Sequence, residues 1–400
     1  MKNPVYVDTS NTYTVESRRF VILLAFMFVA LMTQINWLSF APITDEVAAY
    51  YNVSSSRVLL LSVVYLVFYI LVNFPATWAL DKYGLKWGTG IGVILTGIFS
   101  LMRAAVVDNF NLVLFAQIMT AIGQPFVLNS FTKVAVNWFP DEEKATATGL
   151  GTVSMLLGVI VGMIATPLLF DSQGLSVMLW IYGIVSFISM LIYILVVQNA
   201  PQSPPNAHAG QKVFDFRGMF TLFNNRDFNI LLFLVFVGLG SFNAILSDID
   251  IIFTRFNSNT QNAGLIGGML IIGGVVGAGI LSTYSDKIHK RKIFLVIAMA
   301  VAVPGTILLD SLNSLNKILI VSFVFGFFLV AALPIALIYA AEITHPITEE
   351  ASNGLMMTIG QLAGILLLID FKMIIVTLLF GLGFLSSLIM KDTSPQPTAS

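Results

Sequence analysis

The side chains able to do chemistry in this sequence stand inside long apolar stretches: Gln34, Asn36 and Trp37; Tyr65 and Tyr69; Gln117 and Gln124; Asn243 with Asp248 and Asp250; and Gln361. The chemistry they offer is recognition. Aromatic faces can hold a cation, at about 0.5–2 kcal/mol for each ring. Trp37 offers such a face, and the glutamine and asparagine amides suit a solute hydroxyl. Tyr65 and Tyr69 lie four apart, on one helical face, and can add walls to the cage or simply pack. Gln117 precedes Gln124 by two helical turns and shares its face. Each residue also has a bland reading: Trp37 as an interfacial belt residue, the amides as helix–helix glue at about 0.6 kcal/mol per hydrogen bond. Asp248 and Asp250 cost about 2.5–3.5 kcal/mol each if they face the middle of the hydrocarbon. They therefore face a pathway, coupling cations or protons, or form an edge charge paired with Arg255. Arg103 divides likewise between a gate or anion contact and a snorkelling side chain.

Other chemistries find no support. The chain has no cysteine, so no disulfide, thiolate or Cys-bound zinc is expected. His208, His289 and His345 fall in polar connecting segments and read as solvated, leaving no metal site. No His/Glu metal set, catalytic carboxylate pair or activated nucleophile stands in the spans, so no enzyme is expected. The glycines from Gly264 to Gly279, and Gly158 with Gly162, are not phosphate loops, because no Lys-Ser/Thr follows; they read as helix-packing surfaces, and no cofactor is implied. A formal net charge of -1 without a basic cluster argues against nucleic acid.

The elements that position these residues follow from hydropathy. Charged residues make up 10% of the chain and hydrophobic ones 57%, against roughly 25% charged in an ordinary soluble domain. Twelve apolar runs recur, at about 20–41, 58–80, 88–107, 111–137, 146–170, 175–197, 229–254, 263–284, 293–309, 317–340, 352–369 and 371–390. Hydrocarbon leaves backbone amides unbonded unless the segment bonds internally, which makes these runs helices. The first is long enough to span and reads as a retained helix, not a cleaved signal. Placing residues 1–19 in the cytoplasm puts fifteen Lys/Arg inside and five outside (Arg57, Arg103, Arg255, Lys317, Lys372). That bias predicts cytoplasmic termini in a plasma (inner) membrane.

Residues 198–228, with Pro201, Pro204 and Pro205, separate six runs from six. The expected organisation is 1–197 as an N-terminal six-helix bundle, 198–228 as a cytoplasmic linker, and 229–400 as a C-terminal bundle. Internal repetition supports it: Asp81-Lys82 recurs as Asp286-Lys287 at an offset of 205, and Gly149 recurs as Gly354 at the same offset.

Six helices plus six, with an Asp-containing basic loop between the second and third spans, resemble the major facilitator superfamily; the loop Ala79-Leu80-Asp81-Lys82-Tyr83-Gly84-Leu85-Lys86-Trp87-Gly88 is similar to its signature. Asn73-Phe74-Pro75-Ala76-Thr77-Trp78, Gly123-Gln124-Pro125-Phe126 and Glu342-Ile343-Thr344-His345-Pro346 look like the feline leukaemia virus subgroup C receptor-related (FLVCR) transporters. The expected fold is therefore an all-α membrane protein of twelve transmembrane helices in two pseudo-symmetric bundles.

The resemblance implies a carrier of choline or a similar small organic cation working by alternating access; relatives linked to haem and pyridoxine keep other substrates open. It implies that Trp37, Gln124 and Gln361 match substrate contacts, and that Asp81, with Lys82 and Lys86, acts as a conformational latch mirrored by Asp286. The aromatic expected on the seventh span is missing, with Val237 and Phe242 in that region. A proton-coupled carrier of another metabolite or drug is the alternative. A non-transporting receptor would need an added soluble domain, for which the short tails leave no room. The expected partners are a small-molecule substrate and the lipid bilayer, with the protein a monomer.

Overall fold

The computed structural model describes residues 5–8, 11–14, 18–140, 143–201, 220–254, 261–288, 290–344 and 349–392. The three histidines, Arg255 and most of the 198–228 linker lie outside the described residues.

Helix dominates, as the apolar runs require. The first part of the chain comprises α1 (Arg18–Leu38), α2 (Thr44–Tyr51), α3 (Ser55–Ala105), α4 (Phe110–Leu128), α5 (Ser130–Trp138) and α6 (Lys144–Val196). The second comprises α7 (Arg226–Ser247), the one-turn α8 (Ile249–Ile252), α9 (Gln261–Ile288), α10 (Lys292–Ser311), α11 (Leu315–Thr344), α12 (Glu349–Ile369) and α13 (Met373–Leu388). Ahead of α1 a short antiparallel hairpin pairs Val5–Asp8 with Asn11–Thr14, in the register Val5 to Thr14. Hydropathy alone had no signal for it.

Among the described residues nine helices are long and apolar enough to cross a membrane, and Met373–Leu388 is a shorter apolar one. Two of the nine, Ser55–Ala105 and Thr146–Val196, run for 51 residues each, more than twice the ~20 that ~30 Å of hydrocarbon needs. Each folds back at one glycine, Gly84 (φ 76°, ψ -179°) or Gly174 (φ 78°, ψ 172°), in a positive-φ extended conformation that essentially only glycine adopts. The first turn is tight: a Cβ on Gly88 would come within 2.6 Å of Leu80 Cα, though eight residues of straight helix would part them by ~12 Å. At the second, Thr166 and Tyr182 share a 2.9 Å hydrogen bond across sixteen residues. The nine long helices thus supply eleven crossings, and α13 makes the twelfth.

The chain divides into two compact units, Met1–Val213 and Phe214–Ser400. In the first, α1 packs on α6, and α3 packs on α4 and α6; in the second, α7 packs on α12, α9 on α11, and α10 on α11 and α13. The duplicated sequence thus repeats one packing scheme. Small residues mark the same contact in both: a Cβ on Gly158 would meet Leu31 O at 2.4 Å, and one on Gly240 would meet Ala363 Cβ at 2.4 Å. Apolar side chains such as Leu71, Leu195, Ile320, Ile369 and Leu378 remain exposed on the helix surfaces, where lipid takes the place of a core.

Candidate substrate site

The first apolar run continues to Ala41, but α1 stops at Leu38. Ser39 and Phe40 bend, and Pro42 opens a single turn of 3-10 helix, Ala41–Ile43. A broken helix end leaves its last carbonyls without helical partners, and here polar side chains gather around it. Asn36 is fully buried. Its carbonyl accepts from Ser39 Oγ at 3.0 Å, Gln117 Nε2 at 3.1 Å and Arg103 Nη1 at 3.4 Å. Its amide oxygen accepts from Arg103 Nη2 at 2.7 Å and Ser100 Oγ at 2.9 Å, and its amide nitrogen donates to Ser186 Oγ at 3.1 Å. Gln117 further donates to Leu61 O at 2.9 Å. Arg103 completes the cluster by donating to Ser39 Oγ at 3.0 Å and to Gln117 Oε1, and it is 0% exposed. The snorkelling arrangement is therefore not adopted.

Trp37, Gln34 and Gln124 stand beside this cluster. Gln34 and Trp37 lie three apart on α1, on neighbouring positions of one face. Gln124 Nε2 donates to Gln34 Oε1 at 3.2 Å, tying α4 to α1. Trp37 is 7% exposed, and its indole N–H has no hydrogen-bond partner among the described residues. Tyr65 is turned into packing: its hydroxyl donates to Thr120 Oγ1 at 2.8 Å. Tyr69, a turn further on, is buried too.

In the second unit Asn243, buried on α7, donates to Gln361 Oε1 on α12 at 3.0 Å. Ser241 and Ser247, on the same helix, carry buried hydroxyls without a hydrogen-bond partner among the described residues. Asp248 (6% exposed) and Asp250 (0%) are enclosed at the α7 end. Val237, which has no ring, is buried, and Phe242 is half-buried.

The charges at the Gly84 end of the first unit separate from this polar set. Asp81 takes a partner absent from its own loop: Lys133 Nζ on α5 donates to Asp81 Oδ1 at 2.6 Å and to Leu80 O at 3.0 Å. Lys82 instead lies over the Trp78 and Tyr83 rings at 4.5 and 5.3 Å, and Lys86 over Trp87 at 5.9 Å. Asp286 accepts from Arg291, which also reaches Glu342 Oε1 at 3.2 Å and Ser285 Oγ at 3.0 Å. Lys133 and Arg291 are two of the fifteen basic residues on the inner side of the expected topology. The available signal was a single lysine in an otherwise apolar stretch, which requires a buried acceptor.

Helical segments in two units with one repeated packing scheme, one holding a buried amide pair and the other a part-buried one, have the architecture of a twelve-span membrane protein. The sequence profile of the Major Facilitator Superfamily matches residues 22–368, and the chain belongs to that superfamily as a multi-pass integral membrane protein. It is 29% identical to "Choline/ethanolamine transporter flvcr2a" of Danio rerio, over 87% of this chain and 78% of the relative. It is 31% identical to "Uncharacterized protein B0416.5" of Caenorhabditis elegans, over 88% and 72%. Among solved structures it is similar to a D-xylose-proton symporter, with a TM-score of 0.74 at 14% identity over 96% of this chain and 100% of the other; that likeness concerns the fold.

Proposed function

We propose that this superfamily transporter carries choline or a similar small organic cation by alternating access, as a monomer in the plasma membrane with both termini in the cytoplasm, and that it catalyses no reaction. The observation that carries the reading is Trp37, with the Gln34–Gln124 amide pair beside it, in a chain whose Danio rerio relative is named a choline/ethanolamine transporter. The indole face suits an ammonium; the amide oxygens and N–H groups suit a hydroxyl. Within the second unit Asn243 and Gln361 form an amide pair of their own, and Asp81–Lys133 and Asp286–Arg291 serve as latches. A desolvated cation–π contact is worth ~2 kcal/mol, about a thirtyfold change in affinity. Reconstituted protein should therefore show saturable uptake of labelled choline, with half-saturation raised about thirtyfold by Trp37→Ala. Uptake indifferent to Trp37→Ala sinks the assignment.

A second reading rests on Asp248 and Asp250, whose burial suits groups that bind and release a proton. On that reading the chain is a proton-coupled carrier of another metabolite, pyridoxine- or haem-like. Transport driven by an imposed pH gradient and unaffected by Asp248→Asn and Asp250→Asn excludes it.

A further inference from the structure

Arg103 is a fully buried cation, and among the described residues no carboxylate pairs with it. Burying an unpaired charge is among the most costly things a fold can do, so something else must stabilise it. The candidate is the end of α1. That helix ends at Leu38, its last carbonyls carry the negative end of the helix dipole, worth roughly half an elementary charge, and Arg103 donates to one of them, Asn36 O. The Phe40 ring adds its negative face 5.2 Å from the guanidinium carbon. The side-chain oxygens of Asn36, Ser39 and Gln117 accept from its two Nη groups, while Nε–H has no hydrogen-bond partner among the described residues. Ser100 and Ser186 hold the other side of Asn36.

We propose that Arg103 is a positioning residue: an intramembrane C-cap that fixes where the first span breaks and so holds Trp37, in the last turn of α1, in its orientation. The planar guanidinium reaches Asn36, Ser39 and Gln117 at once, whereas an ammonium at the same place is a compact point charge that cannot span all three. Loss of the fork leaves Asn36 held by Ser39, Gln117, Ser100 and Ser186 alone, without the charge that ties them to the helix end, and that end shifts with Trp37 on it. The consequence for solute binding rests on the carrier reading above; the consequence for Trp37 does not.

The test is fluorine NMR on full-length protein in nanodiscs labelled with 5-fluorotryptophan. The five tryptophans are Trp37, Trp78, Trp87, Trp138 and Trp180, with Trp37 assigned through Trp37→Phe. Arg103→Gln and Arg103→Lys are expected to shift or broaden the Trp37 resonance while the other four hold their positions. An unchanged Trp37 resonance in Arg103→Lys overturns the proposal, as does an equal disturbance of buried Trp138, which marks a general loss of packing. If Arg103→Gln does not fold, the lysine variant alone decides. In parallel, half-saturation for labelled choline should rise at least fivefold in Arg103→Lys. Absence of choline transport by the unmodified protein removes the carrier reading and leaves the resonance test standing.

Discussion

Lys133 has only 7% of its side chain exposed and Asp81 only 15%, so their contact is shielded from water and salt far better than a surface ion pair. A hydrogen bond between charged groups in such a place is worth about 1.5–3 kcal/mol. Lys133→Met or Asp81→Asn alone should each lower the melting temperature of the detergent-solubilised protein, because the surviving partner stays buried. The double substitution should cost less than the two added together. Strict additivity in that cycle shows that the two side chains are not coupled. Lys82 and Lys86, stacked on exposed Trp78, Tyr83 and Trp87, should give changes within about 0.5 kcal/mol when replaced by alanine, as surface substitutions do. Asp81 was legible in the sequence as a loop carboxylate between two apolar runs, and the latch role comes only as what the family resemblance implies. Its true partner, 52 residues on, was not legible, since pairing at that separation depends on how α3 and α5 pack.

At the scale of the elements, glycines decide how close helices come. A Cβ on Gly277 would stand 1.9 Å from Phe327 O, and one on Gly326 would stand 1.8 Å from Leu270 O, whereas Gly279 meets nothing within 4 Å. Two effects of opposite sign compete in a Gly→Ala change. Helix propensity favours alanine by about 0.8–1 kcal/mol, and overpacking costs about 1–3 kcal/mol. Gly279→Ala should therefore leave the melting temperature unchanged or raise it, and Gly277→Ala should lower it. Equal behaviour of the two variants shows that α9 and α11 are not in backbone contact. The glycine-rich eighth run was readable as a packing surface from composition. Which glycines touch was not, because the contact needs the register of a second helix.

For the whole molecule, the absence of cysteine makes single-cysteine labelling a clean probe of orientation. Lys287 and Lys317 are both exposed and fall on opposite sides of the proposed topology. A membrane-impermeant maleimide added to intact cells should label Lys317→Cys and spare Lys287→Cys until the membrane is opened. The reverse pattern overturns the placement of both termini in the cytoplasm.

The number of crossings and the two-fold repeat came from the sequence by itself, because bilayer thickness sets a run length and hydrocarbon compels each run to bond internally as helix. The location of the polar set was readable for the same reason: an amide or carboxylate in an apolar run stands out. Tertiary structure alone decided the partners. Asn243 and Gln361 meet across 118 residues, and Arg103 draws on Asn36, Ser39 and Gln117 at once. Nor does the repeat predict them. At an offset of 205, Gln34 and Gln124 fall on Leu239 and Leu329, and Asn243 and Gln361 fall back on Leu38 and Leu156. The packing scheme recurs in both halves, held by backbone approach and small residues. The polar contacts differ between the halves, because each depends on individual side chains that meet across helices distant in sequence.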